Sequence, residues 1–101
     1  MSQWCVYMMS NRAHTLYSGI TNNLPQRVRQ HRQRTFENAF TARYTFNLLV
    51  WYEFVSSQKD AARREKQIKS WPRARRVKLI QAMNPNWIDL SKSVCELLML
   101  R

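Results

Sequence analysis

One glycine, Gly19, stands in the 101 residues of this chain. A single glycine cannot build the Gly-rich loop of a Walker motif or the G-x-S-x-G turn of an α/β hydrolase. Cysteine is almost as scarce. Cys5 and Cys95 have neither C-x-x-C spacing nor a histidine cluster beside them. That pattern argues against a zinc finger and predicts two reduced core thiols rather than a disulfide. No H-E-x-x-H helix occurs, and no cysteine has a histidine nearby in sequence to activate it. No run of about 18 apolar residues exists, so a membrane-spanning helix is not expected. Met1-Ser2-Gln3-Trp4 shows no basic region leading into a long apolar stretch. A secretory signal is therefore not expected, and a cytoplasmic location is. Acidic residues number 6 against 17 Lys and Arg, leaving a formal charge of +11.

Such a field collects polyanions. Of the 17 cations, 12 are Arg, whose planar fork matches phosphate oxygens. Nucleic acid is the favoured partner. An anionic membrane surface, or a basic surface with no polymer partner, is the competing account. Apolar residues make up 45% of the chain, with four each of Trp, Tyr and Phe. That is enough for the core of one small domain.

Residues 3–9 alternate in a β-rich pattern and read as a strand, as do 15–21. Residues 10–14 make a hairpin loop between them. A tip centred near Arg12 would set Tyr7 and Tyr17 directly across from each other. Asn22, Asn23 and Pro25 start a helix that runs to about Gln33, with Leu24 and Val28 turned inward. Residues 35–46 lack helical period and read as a long loop. Residues 48–55 (LLVWYEFV) form the strongest strand signal, that of a strand covered on both faces. Helices follow over 58–69 and 72–83, the second with a stripe of Ala74, Val77 and Ile80. Residues 91–100 carry Val94, Leu97, Leu98 and Leu100, a segment that caps its own core or makes a dimer contact. The expected fold is α+β: a small three-stranded antiparallel sheet flanked by helices.

Three spacings could carry chemistry. Arg27 and His31 share a helix face, either as a phosphate clamp beside an imidazole or as part of a solvated face. Tyr7 and Tyr17 bring two phenols together, either as reacting groups or as ordinary strand aromatics. Glu65 falls beside the apolar stripe of its helix, where a carboxylate needs a metal or a cationic partner. Arg64, Lys69 or a distant arginine could supply the second, Lys69 at the favourable four-residue spacing.

The order of these pieces resembles the GIY-YIG nuclease superfamily, in particular its small stand-alone bacterial members. The likeness is carried by Cys5-Val6-Tyr7, Tyr17-Ser18-Gly19-Ile20-Thr21, Leu24-x-x-Arg27-Val28-x-x-His31 and Glu65 in an A-R-R-E-K-Q-I-K helix. It extends through Phe40-Thr41-Ala42-Arg43-Tyr44, Leu49-Val50-Trp51-Tyr52-Glu53 and Lys69-Ser70-Trp71-Pro72-Arg73-Ala74, so it covers roughly residues 3–90. Cys5 and Ser18 stand where the motif name has Gly and Ile, beside the tyrosines rather than in their place. The resemblance implies a nuclease domain over 1–90 and a helical extension over 91–101.

It also implies roles. Tyr7, Tyr17, Arg27 and His31 would be catalytic, with Tyr7 or His31 helping to deprotonate the attacking water. Glu65 would hold one Mg²⁺ or Mn²⁺, and Asn84 (or Asn86) would support the site. Arg29, Arg32, Arg34, Arg43, Arg63, Arg73, Arg75 and Arg76 would grip the nucleic-acid backbone without reading sequence. The implied activity is metal-dependent phosphodiester hydrolysis by a monomer or weak homodimer, on DNA more than RNA, in a repair or recombination setting. The alternative is a module of the same fold that binds nucleic acid or recruits a partner without cutting.

Overall fold

A computed structural model describes residues 3–33 and 47–94. The elements are β1 (Trp4–Ser10), β2 (Leu16–Thr21), α1 (Leu24–Gln33), β3 (Leu48–Val55), α2 (Gln58–Ser70) and α3 (Arg73–Met83). The strands form one antiparallel sheet in the order β2-β1-β3. This is the expected α+β architecture. The loop expected over 35–46, together with Arg34, Arg43 and Cys95, lies outside the described residues.

The sheet is apolar on both faces. Cys5, Tyr7 and Met9 share one core with Leu24 and Val28 of α1, with Leu49 and with Val94. Val6 and Met8 share the other with Val50, Trp51, Ala61 and Ile68 of α2, and Ile80 of α3. Alternate side chains of β1 thus enter separate layers, as the two-residue period of a strand requires. A register shift between Met8 and Met9 leaves Val50 as an extra residue in β3. This bulge puts the consecutive residues Val50 and Trp51 into the same core. Val94 is buried in a helical turn over 91–94, so the start of the C-terminal segment belongs to the α1-side core.

Side-chain caps set the boundaries. Asn23 Oδ1 accepts from the Gln26 N–H at 3.2 Å and starts α1. Ser57 Oγ accepts from the Asp60 N–H at 3.1 Å and starts α2. Trp71 and Pro72 separate α2 from α3.

Two expectations need correction. The hairpin pairs Ser10 with Leu16 and Tyr7 with Gly19, so its tip centres on Ala13 and Tyr17 lies opposite Met9. Asn11 causes the offset, because its Oδ1 accepts from both the Ala13 and Thr15 N–H at 3.0 Å and winds the loop around itself. The two tyrosines are therefore diagonal neighbours on one face rather than directly opposed. The apolar stripe of α3 is also narrower than expected. Ile80 is buried and Val77 is half-buried, but Ala74, in the first turn of α3, is exposed.

Candidate active site

The edge of the sheet where β1, β2 and α1 meet is built around Tyr7. Its side chain is fully buried, and its Oη lies 3.0 Å from Nε2 of His31. His31 is itself buried on the inner side of α1. The ring of Tyr17 lies 6.2 Å from that of Tyr7 and 4.8 Å from that of His31, the latter edge-on. Tyr17 remains 39% exposed, so it is the phenol that solvent and a ligand can reach. With Arg27, Gln30 and His31 it lines a notch of about 20 Å³, which is room for one water-sized species.

Gly19 explains why this packing is possible. It pairs directly with Tyr7, and a Cβ there would lie 2.6 Å from Tyr7 Oη and 2.8 Å from Cζ. The one glycine of the chain leaves the space that the Tyr7 ring fills.

Burial is the main reason the Tyr7 phenol is pushed well above its usual range. Tyr17 and the Glu65 carboxylate add to the rise, while Arg27 opposes it. These influences place Arg27, Glu65 and both phenols in one electrostatic neighbourhood, although they come from four different elements. Burial thus favours the protonated, hydrogen-bonding form of the Tyr7 phenol.

Glu65 reaches this neighbourhood from α2, which packs against β1 and β2. It does not line the notch. Lys69 Nζ sits 2.8 Å from its Oε1, so the i,i+4 ion pair read from the sequence is made. Among the described residues no group of three or more His, Cys, Asp and Glu could hold a metal ion. A metal here would have one protein carboxylate and otherwise water and phosphate oxygens. That donor set suits a hard divalent ion. The side chain of Lys69 is more than half exposed and that of Glu65 largely buried, so the pair sits at the surface end of the carboxylate.

The family of the GIY-YIG catalytic domain matches residues 3–78. The chain belongs to the GIY-YIG family. A UPF0213 protein of Staphylococcus haemolyticus is 34% identical over 86 residues, covering 80% of this chain and 98% of that protein. One from Clostridium perfringens is 33% identical over 81 residues, covering 76% and 82%. One from Aeromonas salmonicida is 30% identical over 90 residues; the match covers 89% of this chain but 65% of that longer protein. The solution structure of a UPF0213 protein from Bacillus halodurans shares the fold, with a TM-score of 0.54 at 22% identity and coverage of 91% and 96%.

The remaining residues expected to serve the site divide into two groups. Arg29, Arg63 and Arg73 are exposed, and Arg75 lies with its guanidinium 4.2 Å from the centre of the Trp71 ring. Arg76 is half-buried, and its Nε has no hydrogen-bond partner among the described residues. These cations stay on the basic surface. Arg32 does not belong with them. It is hydrogen-bonded to the Asp89 carboxylate, to Ser91 Oγ at 2.8 Å and to the Asn47 carbonyl at 3.1 Å. It clamps α1 to the 89–91 segment, a structural duty that its place in an arginine-rich run concealed. Asn84 supports the fold rather than facing the notch. Its Nδ2 donates to the carbonyls of Val50 at 3.2 Å and Ile88 at 2.7 Å, and its Oδ1 accepts from the Ile88 N–H at 3.0 Å.

Gln30 is the notch residue the sequence reading missed. Its position three residues after Arg27 was the available signal. His14 stacks on Trp87 at 4.4 Å between ring centres, joining the hairpin tip to the turn after α3.

Proposed function

We propose that this GIY-YIG domain is a divalent-metal-dependent endonuclease that hydrolyses phosphodiester bonds of nucleic acid, DNA in preference to RNA. The observation that carries the reading is the convergence of Tyr7, Tyr17, Arg27 and His31 at one edge of a basic domain, within electrostatic reach of a single carboxylate.

Each side chain has a defined task. Arg27, at the notch, stabilises the negative charge that builds on the phosphoryl oxygens. Tyr17, the accessible phenol, orients the attacking water. His31, which lines the notch, takes the proton of that water. Tyr7 keeps its own proton and positions the imidazole through Nε2. Glu65 would hold one Mg²⁺ or Mn²⁺, which when bound supplies Lewis-acid stabilisation of the phosphate and leaving oxygen. Arg63, Arg73 and Arg75, exposed on the surface, hold the backbone.

The test is incubation with labelled single- and double-stranded DNA and RNA, in Mg²⁺ or in chelator. The expected result is metal-dependent cutting that Glu65→Ala abolishes while folding and binding persist. Arg27→Ala should lower turnover by about 10²-fold or more, as loss of one charge-stabilising donor does. Metal-dependent cutting retained by Glu65→Ala removes Glu65 from its role. One observation favours a second reading, a module that binds without cutting: the carboxylate is already paired with Lys69. Tight binding with no metal-dependent product would establish it.

A further inference from the structure

Helix α1 carries the inner half of the candidate site and also presents an exposed outer face. Gln26, Arg29, Gln30 and Gln33 are all exposed and line a depression of about 260 Å³ on that face. At about 100° per residue, Arg29, Gln33, Gln26 and Gln30 follow one another over an arc of about 100°, and Arg27 and then His31 continue it toward the core. Gln30 borders both this depression and the notch. The outer face is thus contiguous with the candidate catalytic groups.

Its composition is narrow. α1 has no acidic residue along LPQRVRQHRQ. On α2, by contrast, Lys69 pairs with Glu65 and Arg64 with Glu53. The four outer side chains make no side-chain hydrogen bond or ion pair among the described residues. The face has no apolar residue to enter a lipid surface, which tells against a membrane as its occupant. Glutamine and arginine are the side chains whose forked ends fit adenine N6/N7 and guanine O6/N7 in the major groove.

We propose that the outer face of α1 lies in the major groove of duplex DNA and contacts base edges through Gln26, Arg29, Gln30 and Gln33. B-form DNA has a major groove about 12 Å wide, which admits a helix. The A-form duplex of RNA has a deep, narrow one, which does not. The substrate class is therefore duplex DNA. The proposal rests on the nucleic-acid reading of the basic surface and not on cleavage.

The test uses fluorescence anisotropy of the full chain in chelator, with labelled duplex DNA, duplex RNA of matching sequence and single-stranded DNA. The expected result is a preference of about tenfold or more for duplex DNA over duplex RNA, in line with a few base-edge contacts. Gln26→Ala/Gln33→Ala should erase most of that preference while leaving the salt dependence unchanged, because no cation is removed. Arg29→Gln should also weaken it, with a shallower salt slope. Alanine is a better helix former than glutamine, so an unchanged thermal melt is expected for the double variant. Equal affinity for the two duplexes, preference for single strands, or full preference in both variants overturns the proposal. A chain that binds duplex DNA through α1 but never cuts defeats only the nuclease reading. One that cuts with an α1-independent preference defeats only this one.

Discussion

Gly19→Ala is the smallest change that reaches the site from behind. The backbone of Gly19 is not in the left-handed region, so alanine brings no backbone penalty, and in an isolated strand it would help slightly. The cost comes from contact. The new methyl would sit 2.6, 2.8 and 3.0 Å from Oη, Cζ and Cε1 of Tyr7. Tyr7 is fully buried and held 3.0 Å from His31, so the ring cannot yield without giving up that bond. Overpacking of this kind costs about 1–3 kcal/mol, and loss of the hydrogen bond about 1 kcal/mol more. In a domain of this size the sum lowers the melting temperature by roughly 10 °C or more.

Urea denaturation of a double-mutant cycle measures it. Tyr7→Leu removes the crowding atoms, so Gly19→Ala in that background should cost well under 1 kcal/mol. The difference between the two backgrounds is the contact itself. If Gly19→Ala costs the same with tyrosine or leucine at position 7, or costs nothing with tyrosine, the account of Gly19 as the space for Tyr7 is wrong.

Further outcomes follow from the same geometry. Burial raises Tyr7 above its ordinary value near 10 and pushes the Cys5 thiol from 9.0 to about 12. Both groups therefore contribute stability that is full below their unfolded pKa values and lost as pH rises through the folded ones. Denaturant midpoints should be flat near neutrality and fall from about pH 9 upward, and Tyr7→Phe should make that alkaline fall shallower. An alkaline limb identical in Tyr7→Phe would dismiss Tyr7 as its source. Arg32→Ala should cost about 1 kcal/mol of stability, a modest figure because the pair is partly exposed. It should leave the salt slope of nucleic-acid binding unchanged, whereas a reduced slope would return Arg32 to the backbone-gripping set. Asn84→Ala removes the partner of the buried Val50 carbonyl and of the partly buried Ile88 carbonyl and N–H, and should cost about 1–3 kcal/mol by denaturant titration. Wild-type stability in that variant would mean that water replaces the amide.

The strands and helices were legible because their signals are local: alternation in β1, the apolar run of β3, the Asn and Ser caps, the Trp71-Pro72 break. The pairing register was not, because it turns on one side chain. Asn11 takes two loop N–H groups and moves the tip by one residue, which displaces Tyr17 from Tyr7 by a full diagonal step. Tyr7, Tyr17, Arg27, His31 and Glu65 could be singled out by motif order. The Tyr7–His31 bond, and the reason for the lone glycine, required three dimensions. Arg32 shows the same limit in reverse. Within R-V-R-Q-H-R it is indistinguishable from Arg29, and only the fold, by bringing Asp89 beside it, separates a fastener from a free cation.

The middle position of β1 has a consequence for how this protein can change. Its odd residues root one core and its even residues the other, so a substitution at Tyr7 is felt on one side of the sheet and one at Met8 on the other, and their amides should be among the slowest to exchange with solvent. The outward residues of α1 have no such ties. What the domain grasps can therefore drift residue by residue, while the corner that would do the chemistry stays anchored in the part of the molecule least free to vary.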